Sequence, residues 1–202
     1  VHPQRKKKCP ACKRPIYVKS TPEDREKRLM TEVQAEDAER RWSAYHQRQK
    51  SISVLQSVGL AESDLERERA QGMATDSEAV VAILTRVAAT AEKLHERKMA
   101  NYQLASYAEK EGRPFHEFLT EAVRCELLIY KQTPVVTAVE ILTAGPGNAC
   151  AECDAQRGKV FSIDEALRTM PLPCPRCTRT LLGARPGFCR CTWLPVVEKI
   201  AV

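Results

Sequence analysis

Eight of the nine cysteines in this 202-residue chain occur in four close pairs, and this spacing constrains the fold more than any other feature. The pairs are Cys9/Cys12, Cys150/Cys153, Cys174/Cys177 and Cys189/Cys191. At the Cys-x-x-Cys spacing a tight turn presents two sulfurs to one tetrahedral ion, and the turn amides stay free to donate hydrogen bonds to the sulfurs. Eight paired thiols therefore predict two metal sites of four ligands each.

The metal expected at these sites is zinc. The sequence shows no charged-then-apolar leader, so we expect a reducing cytoplasm, where close cysteine pairs favour metal binding over disulfides. Iron–sulfur clusters and redox use of the thiols are the alternatives. A zinc ion whose four ligands are all protein thiolates has no open position for water, so both sites are expected to be structural. The ninth cysteine, Cys125, lies in an apolar helical stripe and is predicted to be an unliganded core residue.

The middle of the chain has helical periodicity. Thr31 and Gln34 have the spacing of a capping box, and the pattern that follows predicts a helix to about Val58, before Gly59. A short connector helix is expected over GLAESDLERERAQG. From Thr75 a long helical pattern runs to Gly112, and another helix begins at Pro114. These amphipathic helices predict an antiparallel hairpin or bundle over residues 31–132.

After residue 133 the periodicity changes. The β-branched run VVTAVEILTAG, residues 135–145, predicts a strand, and GKVF a second, shorter one. Ser162 and Glu165 have capping-box spacing and predict a short helix. The expected fold class is therefore α+β and mainly α: a helical hairpin or bundle with a zinc-ribbon-like, cysteine-rich module formed by the chain ends. We expect three segments, a zinc-ribbon half (1–30), a helical region (31–132) and a cysteine-rich zinc-binding module (133–202).

Positive charge is concentrated at the two ends. The net charge is +6; residues 1–19 carry seven Lys or Arg and no acid, and residues 174–202 carry five against one Glu. This pattern fits a surface that contacts nucleic-acid phosphates, but it equally fits compensation of the negative charge of zinc–thiolate sites. On the first interpretation the candidate phosphate contacts are Arg5, Lys6, Lys7, Lys8, Lys13, Arg14, Arg176, Arg179, Arg185 and Arg190.

No catalytic residue is predicted. All four histidines lie before residue 133, so the cysteine-rich module lacks the general base of a His-Asn-His nuclease, and no His-x-Glu element accompanies the cysteine pairs as in zinc deaminases. We find no glycine-rich phosphate loop and no Gly-x-Ser-x-Gly elbow. No apolar run approaches the length of a membrane span, and no small-molecule substrate is evident.

The segment VEILTAGPGNACAECDAQRGKVFSIDEAL, followed by PLP and then by CRCTWLPVV, resembles the C-terminal segment of phage minor head proteins of the Mu F-like, or head morphogenesis, family. The resemblance covers about residues 138–197. It implies a phage or phage-derived protein, cytoplasmic or virion-associated, with a role like that of head-morphogenesis proteins.

The resemblance also bears on cysteine pairing. It implies one site from Cys150, Cys153, Cys189 and Cys191, which leaves Cys174/Cys177 to pair with Cys9/Cys12. The competing arrangement joins Cys150/Cys153 to Cys174/Cys177 and leaves Cys9/Cys12 for Cys189/Cys191. In either case the N-terminal pair needs two further ligands, from the rest of the chain or from a second subunit.

Three functions therefore remain open at the level of sequence. The first is a non-enzymatic, zinc-stabilised binding or scaffold protein of phage type, whose partner is a protein, a nucleic acid or both, and which could form oligomers. The second is a zinc-ribbon nucleic-acid-binding protein. The third is a metal-dependent nuclease.

Overall fold

The structure is a computed structural model and describes residues 6–13, 15–145, 147–178 and 189–197. The chain divides into two compact units, residues 1–53 and residues 54–202. Over the described residues it is an α+β protein of mainly helical content with two small sheets, as the sequence predicts. The division into three segments at residues 30 and 132 stays a prediction. Among the described helices, none is both long enough and apolar enough to cross a bilayer.

The first unit begins with a three-stranded antiparallel sheet. Its strands are β1 (Lys6–Lys8), β2 (Pro15–Lys19) and β3 (Arg28–Met30), in the order β1-β2-β3. The Cys9/Cys12 pair lies in the turn that joins β1 to β2. The chain therefore continues as an extended strand, β2, shortly after Cys12.

Helix α1 (Glu32–Gln56) follows and crosses from the first unit into the second. It begins as predicted, because the Gln34 amide donates to Thr31 Oγ1 at 3.4 Å while the Thr31 amide donates to Gln34 Oε1 at 3.0 Å. In the first unit the indole N–H of Trp42 donates to the Ser20 carbonyl at 2.7 Å, which ties the helix to the segment after β2.

Four further helices open the second unit: α2 (Glu62–Ala70), α3 (Asp76–Thr90), α4 (Leu94–Lys110) and α5 (His116–Lys131). The single long helix predicted from Thr75 to Gly112 is wrong. The helical conformation ends at Ala91, whose ψ of 131° is extended, and α4 folds back to pack against α3. The turn lets the apolar side chains of both helices be buried, among them Ile83 on α3 and Leu104 on α4.

The rest of the second unit contains β4 (Val136–Leu142), α6 (Ala151–Asp154), β5 (Val160–Ser162), α7 (Ile163–Thr169) and β6 (Thr192–Val197). The strands form an antiparallel sheet in the order β5-β4-β6. Ser162 caps α7 as predicted, since its Oγ accepts from the Glu165 amide at 3.2 Å. Strand β6 was not predicted from the sequence.

One hydrophobic core joins this sheet to the helices. Val139 and Ile141 of β4 are fully buried and pack in the same cluster as Trp193 of β6 and Leu127 of α5. Six cysteines belong to this cluster or pack against it: Cys150, Cys153, Cys174, Cys177, Cys189 and Cys191. The core therefore positions the cysteine turns on the edge of a packed α+β layer.

Candidate metal centre

Three segments of the second unit bring their cysteines together. Cys150 and Cys153 lie after β4, where Cys150 occupies the position just before the short helix α6. Cys174 and Cys177 lie on the turn after α7, which closes when the Cys177 amide donates to the Cys174 carbonyl at 3.1 Å. The third segment, Cys189-Arg-Cys191, leads directly into β6.

Backbone and side-chain contacts hold the first turn to the sheet. The Gly158 amide donates to the Ile141 carbonyl and the Ile141 amide to the Lys159 carbonyl, both at 3.0 Å, so the chain after α6 returns along β4. The guanidinium of Arg157 donates to Thr143 Oγ1 at 3.1 Å, beyond the end of β4. These bonds fix where the Cys150/Cys153 pair lies before any ion binds.

The second and third segments are anchored by buried apolar neighbours. Leu172, two residues before Cys174, is fully buried, and Trp193, two residues after Cys191, is 2% exposed. The Trp193 ring packs edge-on against Phe161 of β5, with 6.1 Å between ring centroids. Each cysteine segment therefore extends from a residue that the core holds in place.

Five thiols form two groups that share one member. The sulfurs of Cys150, Cys153 and Cys177 lie within 4.8 Å of one another, and so do those of Cys153, Cys189 and Cys191. The Sγ–Sγ distance is 4.0 Å between Cys150 and Cys177 and 3.7 Å between Cys153 and Cys189. Four thiolates around one zinc ion at about 2.3 Å place their sulfurs about 3.8 Å apart, so the thiols have the spacing of metal ligands. These cysteines can hold a metal ion.

A small pocket opens at this cluster. Four of its lining residues are the cysteines Cys150, Cys153, Cys177 and Cys191, and Arg190 also contributes. The sixth cysteine, Cys174, is buried, and its amide is directed at the sulfur of Cys189.

Amide hydrogen bonds tune individual thiols. Burial would raise the pKa of Cys150, but the amides of Cys153 and Thr178 donate to its sulfur and outweigh that effect, so its pKa falls to about 6. The pKa of Cys189 is also lowered, first by a hydrogen bond with the thiol of Cys191 and then by the amides of Cys191 and Cys174. Burial acts in the opposite direction but does not outweigh them. Two thiols are therefore prepared as thiolates, as the expected role of turn amides requires.

The pKa values of two other thiols of the cluster, Cys153 and Cys191, are raised. Burial raises the pKa of Cys153; the hydrogen bond with Cys191 lowers it, but the neighbouring sulfurs of Cys150, Cys189 and Cys177 raise it further. The hydrogen bond with Cys189 and then burial raise the pKa of Cys191. Crowded thiols resist accumulating several negative charges without a cation among them, so a bound ion is the partner that would let all of them ionise.

The N-terminal pair has the turn geometry of a half-site. Lys13 adopts a left-handed conformation, with φ of 59°, and its amide donates to the Cys9 carbonyl at 2.9 Å. The amides of Cys12 and Ala11 donate to the Cys9 sulfur and lower its pKa. Within the described residues of the first unit no third ligand joins this pair. Its predicted completion by Cys174/Cys177 or by Cys189/Cys191 stays a prediction.

The structure combines parts of both predicted pairings in the second unit. Cys153 contacts Cys189, as in the arrangement implied by the family resemblance, while Cys150 contacts Cys177, as in the competing arrangement. Cys125, 2% exposed on α5, belongs to neither thiol group, and burial raises its pKa. Its predicted place in the core is confirmed.

The candidate phosphate contacts are only partly described. Arg5, Arg14, Arg179 and Arg185 lie outside the described residues, and only the backbone of Lys6 and Lys7 is described. Lys8 and Lys13 are exposed on either side of the Cys9/Cys12 turn. Arg176 is exposed and pairs with Glu152 at 3.1 Å, and Arg190 is exposed beside the cysteine pocket.

Some contributors to the site have no signal in the sequence. The Thr178 amide and the Arg157–Thr143 and Arg176–Glu152 contacts depend on how the three turns meet.

Compared with known proteins, the chain matches no family model, no curated protein and no solved structure.

Proposed function

We propose that this chain is a non-enzymatic binding or scaffold protein whose C-terminal part is held together by a structural zinc centre. The observation that carries the proposal is the convergence of five thiols from three separate segments, with all sulfurs in each group of three within 4.8 Å. Segments far apart in sequence gain little from bringing unbonded thiols together, whereas one ion joins them all.

Zinc is favoured by the ligand type. A set made only of thiolates is soft and suits zinc or iron–sulfur chemistry, and zinc takes tetrahedral thiolate sites without a preference imposed by d electrons. Four of the cysteines line one pocket, and three of them, Cys150, Cys153 and Cys177, lie at mutual ligand distance, so Cys191 would have to move toward them to close a four-sulfur zinc site. Such an ion has no position left for a substrate or an activated water, so its work is to hold the fold.

The ion would fix the C-terminal edge of the sheet. It would join the turn after β4, the turn after α7 and the segment that begins β6, and these pack on the core shared with α4 and α5. The basic side chain of Arg190 at the pocket would balance part of the negative charge of the thiolates.

Metal removal tests this proposal directly. The chain has two tryptophans, and Trp42 lies in the first unit, so a Trp42→Phe variant reports on Trp193 alone. Trp193 is 2% exposed and two residues from Cys191. A strong zinc chelator should shift Trp193 emission to longer wavelength while most of the far-UV helical signal remains, because α1 to α5 carry no ligand of the cluster.

Restoring Zn²⁺ should reverse the shift, and Mg²⁺, which prefers oxygen ligands, should not. Unchanged Trp193 emission after complete removal of metal would contradict the proposal. Loss of all helical signal together with the emission shift would show that the ion holds the whole chain, not its C-terminal edge.

The biological setting that we propose is a phage or phage-derived one, from the resemblance of residues 138–197 to Mu F-like minor head proteins. On that basis the partner is a protein of a phage-type assembly, and the chain acts by presenting a surface. Co-expression with a capsid-forming phage head protein and isolation of assembled particles would test this setting; particles that consistently exclude the chain would count against it.

Nucleic-acid binding is the second candidate, favoured by the exposure of Lys8 and Lys13 beside the Cys9/Cys12 turn. Binding to duplex DNA should weaken steeply as salt rises, since each phosphate contact adds about one unit to the slope of log K against log salt. Neutralising Lys8→Gln and Lys13→Gln should each reduce that slope by about one. The exposed Lys50 on α1 provides the matched control, because Lys50→Gln should leave the slope unchanged. Absence of DNA binding at low salt would exclude this function.

A further inference from the structure

The Cys9/Cys12 turn is exposed at the surface of the first unit. Cys12 is exposed together with Pro10 and Ala11 between the two cysteines, and Cys9 is half-buried. In the second unit, by contrast, four of the five thiols that lie at ligand distance from one another are buried. Another molecule can approach the exposed pair, whereas the buried thiols are enclosed by their own chain.

The two sulfurs of the exposed turn are already brought together. The Cys12 thiol hydrogen-bonds to the Cys9 sulfur, which also accepts from the amides of Ala11 and Cys12. The left-handed Lys13, with φ of 59°, closes the turn by donating its amide to the Cys9 carbonyl at 2.9 Å. These are the contacts of a Cys-x-x-Cys turn that presents two ligands to one ion, and a tetrahedral zinc site needs two more.

The first unit does not provide the two missing ligands among its described residues. Over residues 6–13 and 15–53, no histidine, cysteine or carboxylate lies at ligand distance from both sulfurs of the pair. The turn is therefore half of a site as far as this unit is described.

The cysteine pairs that could complete the site from the same chain already have neighbours at ligand distance inside the second unit. Cys177 lies within 4.8 Å of two other thiols there, and Cys189 and Cys191 form a group with Cys153. Cys174 is buried, and alone it supplies one ligand where two are needed. A partner that brings two free thiols has to come from elsewhere.

A second copy of the same turn has the required chemistry. Two Cys-x-x-Cys turns related by a two-fold axis through the ion give four thiolates in a closed tetrahedral set, and the interface is the same on both copies. We propose that Cys9 and Cys12 of two copies of this chain bind one zinc ion between them, and that this shared ion makes the protein a metal-dependent homodimer. The inference is independent of the zinc centre proposed for the C-terminal part.

The charge around the turn explains why the ion is needed. Residues 1–19 carry seven Lys or Arg and no acid, so two metal-free turns repel each other. A zinc ion with four thiolates is net negative, and Lys8 and Lys13, exposed on either side of each turn, would surround it in the dimer. Strand β1, three lysines at an edge of its sheet, disfavours the alternative of pairing strands between copies.

Zinc stoichiometry tests the sharing of the ion. The native full chain and the Cys9→Ser/Cys12→Ser double variant are each loaded with Zn²⁺ and freed of excess metal. The zinc-to-chain ratio of the variant should be lower by about one half, because two chains share the ion. Since only the difference is used, the number of ions held by the C-terminal part does not affect the result. A difference of one, from an ion held within a single chain, or no difference would overturn the proposal.

The mass in solution tests the dimer, by sedimentation or light scattering. The native chain should be a dimer with zinc, a monomer after chelation and a dimer again when Zn²⁺ is restored. The double variant should be a monomer throughout, with an unchanged far-UV circular dichroism spectrum because the turn is exposed. Cys125→Ser is the matched control and should behave as the native chain. A native chain that is monomeric with zinc, or a variant that still forms the dimer, would overturn the proposal.

A mixing experiment locates the contact. Unlabelled native chain and ¹⁵N-labelled double variant are combined with Zn²⁺ and observed by native mass spectrometry. Dimers should contain native chains only, because a chain without Cys9 and Cys12 cannot supply its half of the site. Mixed dimers as abundant as native ones would place the contact elsewhere and overturn the proposal.

Discussion

The Cys153→Ser substitution should weaken metal binding far more than it weakens the metal-free fold. Cys153 is 3% exposed, and its sulfur lies within 4.8 Å of four other thiols, more than any other member of the cluster. Structural zinc sites contribute about 10–16 kcal/mol, so one of four thiolate ligands accounts for about 2.5–4 kcal/mol. Zinc affinity should therefore fall by about 100- to 1,000-fold.

Cys125→Ser is the matched control, because it makes the same chemical change at an equally buried position outside the thiol groups. Cys125 is 2% exposed on α5, where a serine hydroxyl can donate to the carbonyl of the preceding turn. We expect a loss of about 1 kcal/mol of stability and no change in zinc affinity.

The assay is a competition between each variant and a coloured zinc chelator, together with denaturant unfolding in the presence and absence of zinc. In the metal-free state, Cys153→Ser should cost about 1–3 kcal/mol, the cost of a buried hydroxyl without a good partner. With zinc bound, the difference from the native chain should grow by the lost ligand contribution. Equal zinc affinities for Cys153→Ser, Cys125→Ser and the native chain would refute the reasoning.

Three further predictions concern the surroundings of the cluster. Glu126 is 8% exposed and pairs with Lys98, so Glu126→Ala should lower the free energy of unfolding by about 1–3 kcal/mol in a denaturant titration, and no loss would show that the pair contributes nothing. Leu172→Ala should cost about 2–5 kcal/mol by leaving a cavity under the second cysteine turn, whereas Leu142→Ala, at a side chain 47% exposed, should cost far less; equal losses would contradict the anchoring role. In the metal-free, reduced chain the pKa of Cys150 is about 6, below the ordinary thiol value near 9, so the Cys150 thiolate stabilises the fold fully above pH 9 and this contribution is lost as the pH falls through 6. The difference in free energy of unfolding between the native chain and Cys150→Ser should therefore widen from pH 6 to 9, and a constant difference would contradict the lowered pKa.

Local signals in the sequence predict the starts of several elements. Thr31 with Gln34 and Ser162 with Glu165 satisfy helix N-terminal amides through side chains three residues apart, so their effect depends on no distant contact. The β-branched run that becomes β4 and the apolar stripe that buries Cys125 are similarly local. These features are recovered because a short stretch of chain contains their cause.

The break between α3 and α4 has no such signal. Residues Ala91-Glu92-Lys93 contain neither glycine nor proline, and the helical periodicity continues across them. The chain turns there because packing α4 against α3 buries apolar side chains of both helices. Tertiary contacts override the local helical propensity here, and a helix break that depends on tertiary contacts cannot be predicted from short segments of sequence.

Strand β6 is missed for a related reason. It contains Pro195, which lacks a backbone N–H and argues against a strand. In the sheet order β5-β4-β6 this strand lies at an edge, where a proline costs least. Its position at the edge follows from the order of the strands, which the local pattern does not contain.

In the cysteine cluster, the sequence spacing predicts which cysteines form close pairs, whereas the fold determines which pairs meet. Cys-x-x-Cys spacing identifies Cys150 with Cys153 and Cys174 with Cys177 as pairs, and in the first of these turns the Cys153 amide donates to the Cys150 sulfur as expected. Which pairs meet depends on the sheet and on the core that positions all three segments. The central position of Cys153 could not be predicted, because it arises only when the other turns arrive beside it.

The most direct test of the zinc centre is X-ray absorption at the zinc edge on the full chain isolated from zinc-supplemented cells. A centre built from these cysteines should show zinc with four sulfur neighbours at about 2.3 Å and no oxygen or nitrogen in its first shell. Zinc bound mainly through oxygen or nitrogen, or a chain that takes up no zinc at all, would contradict the account.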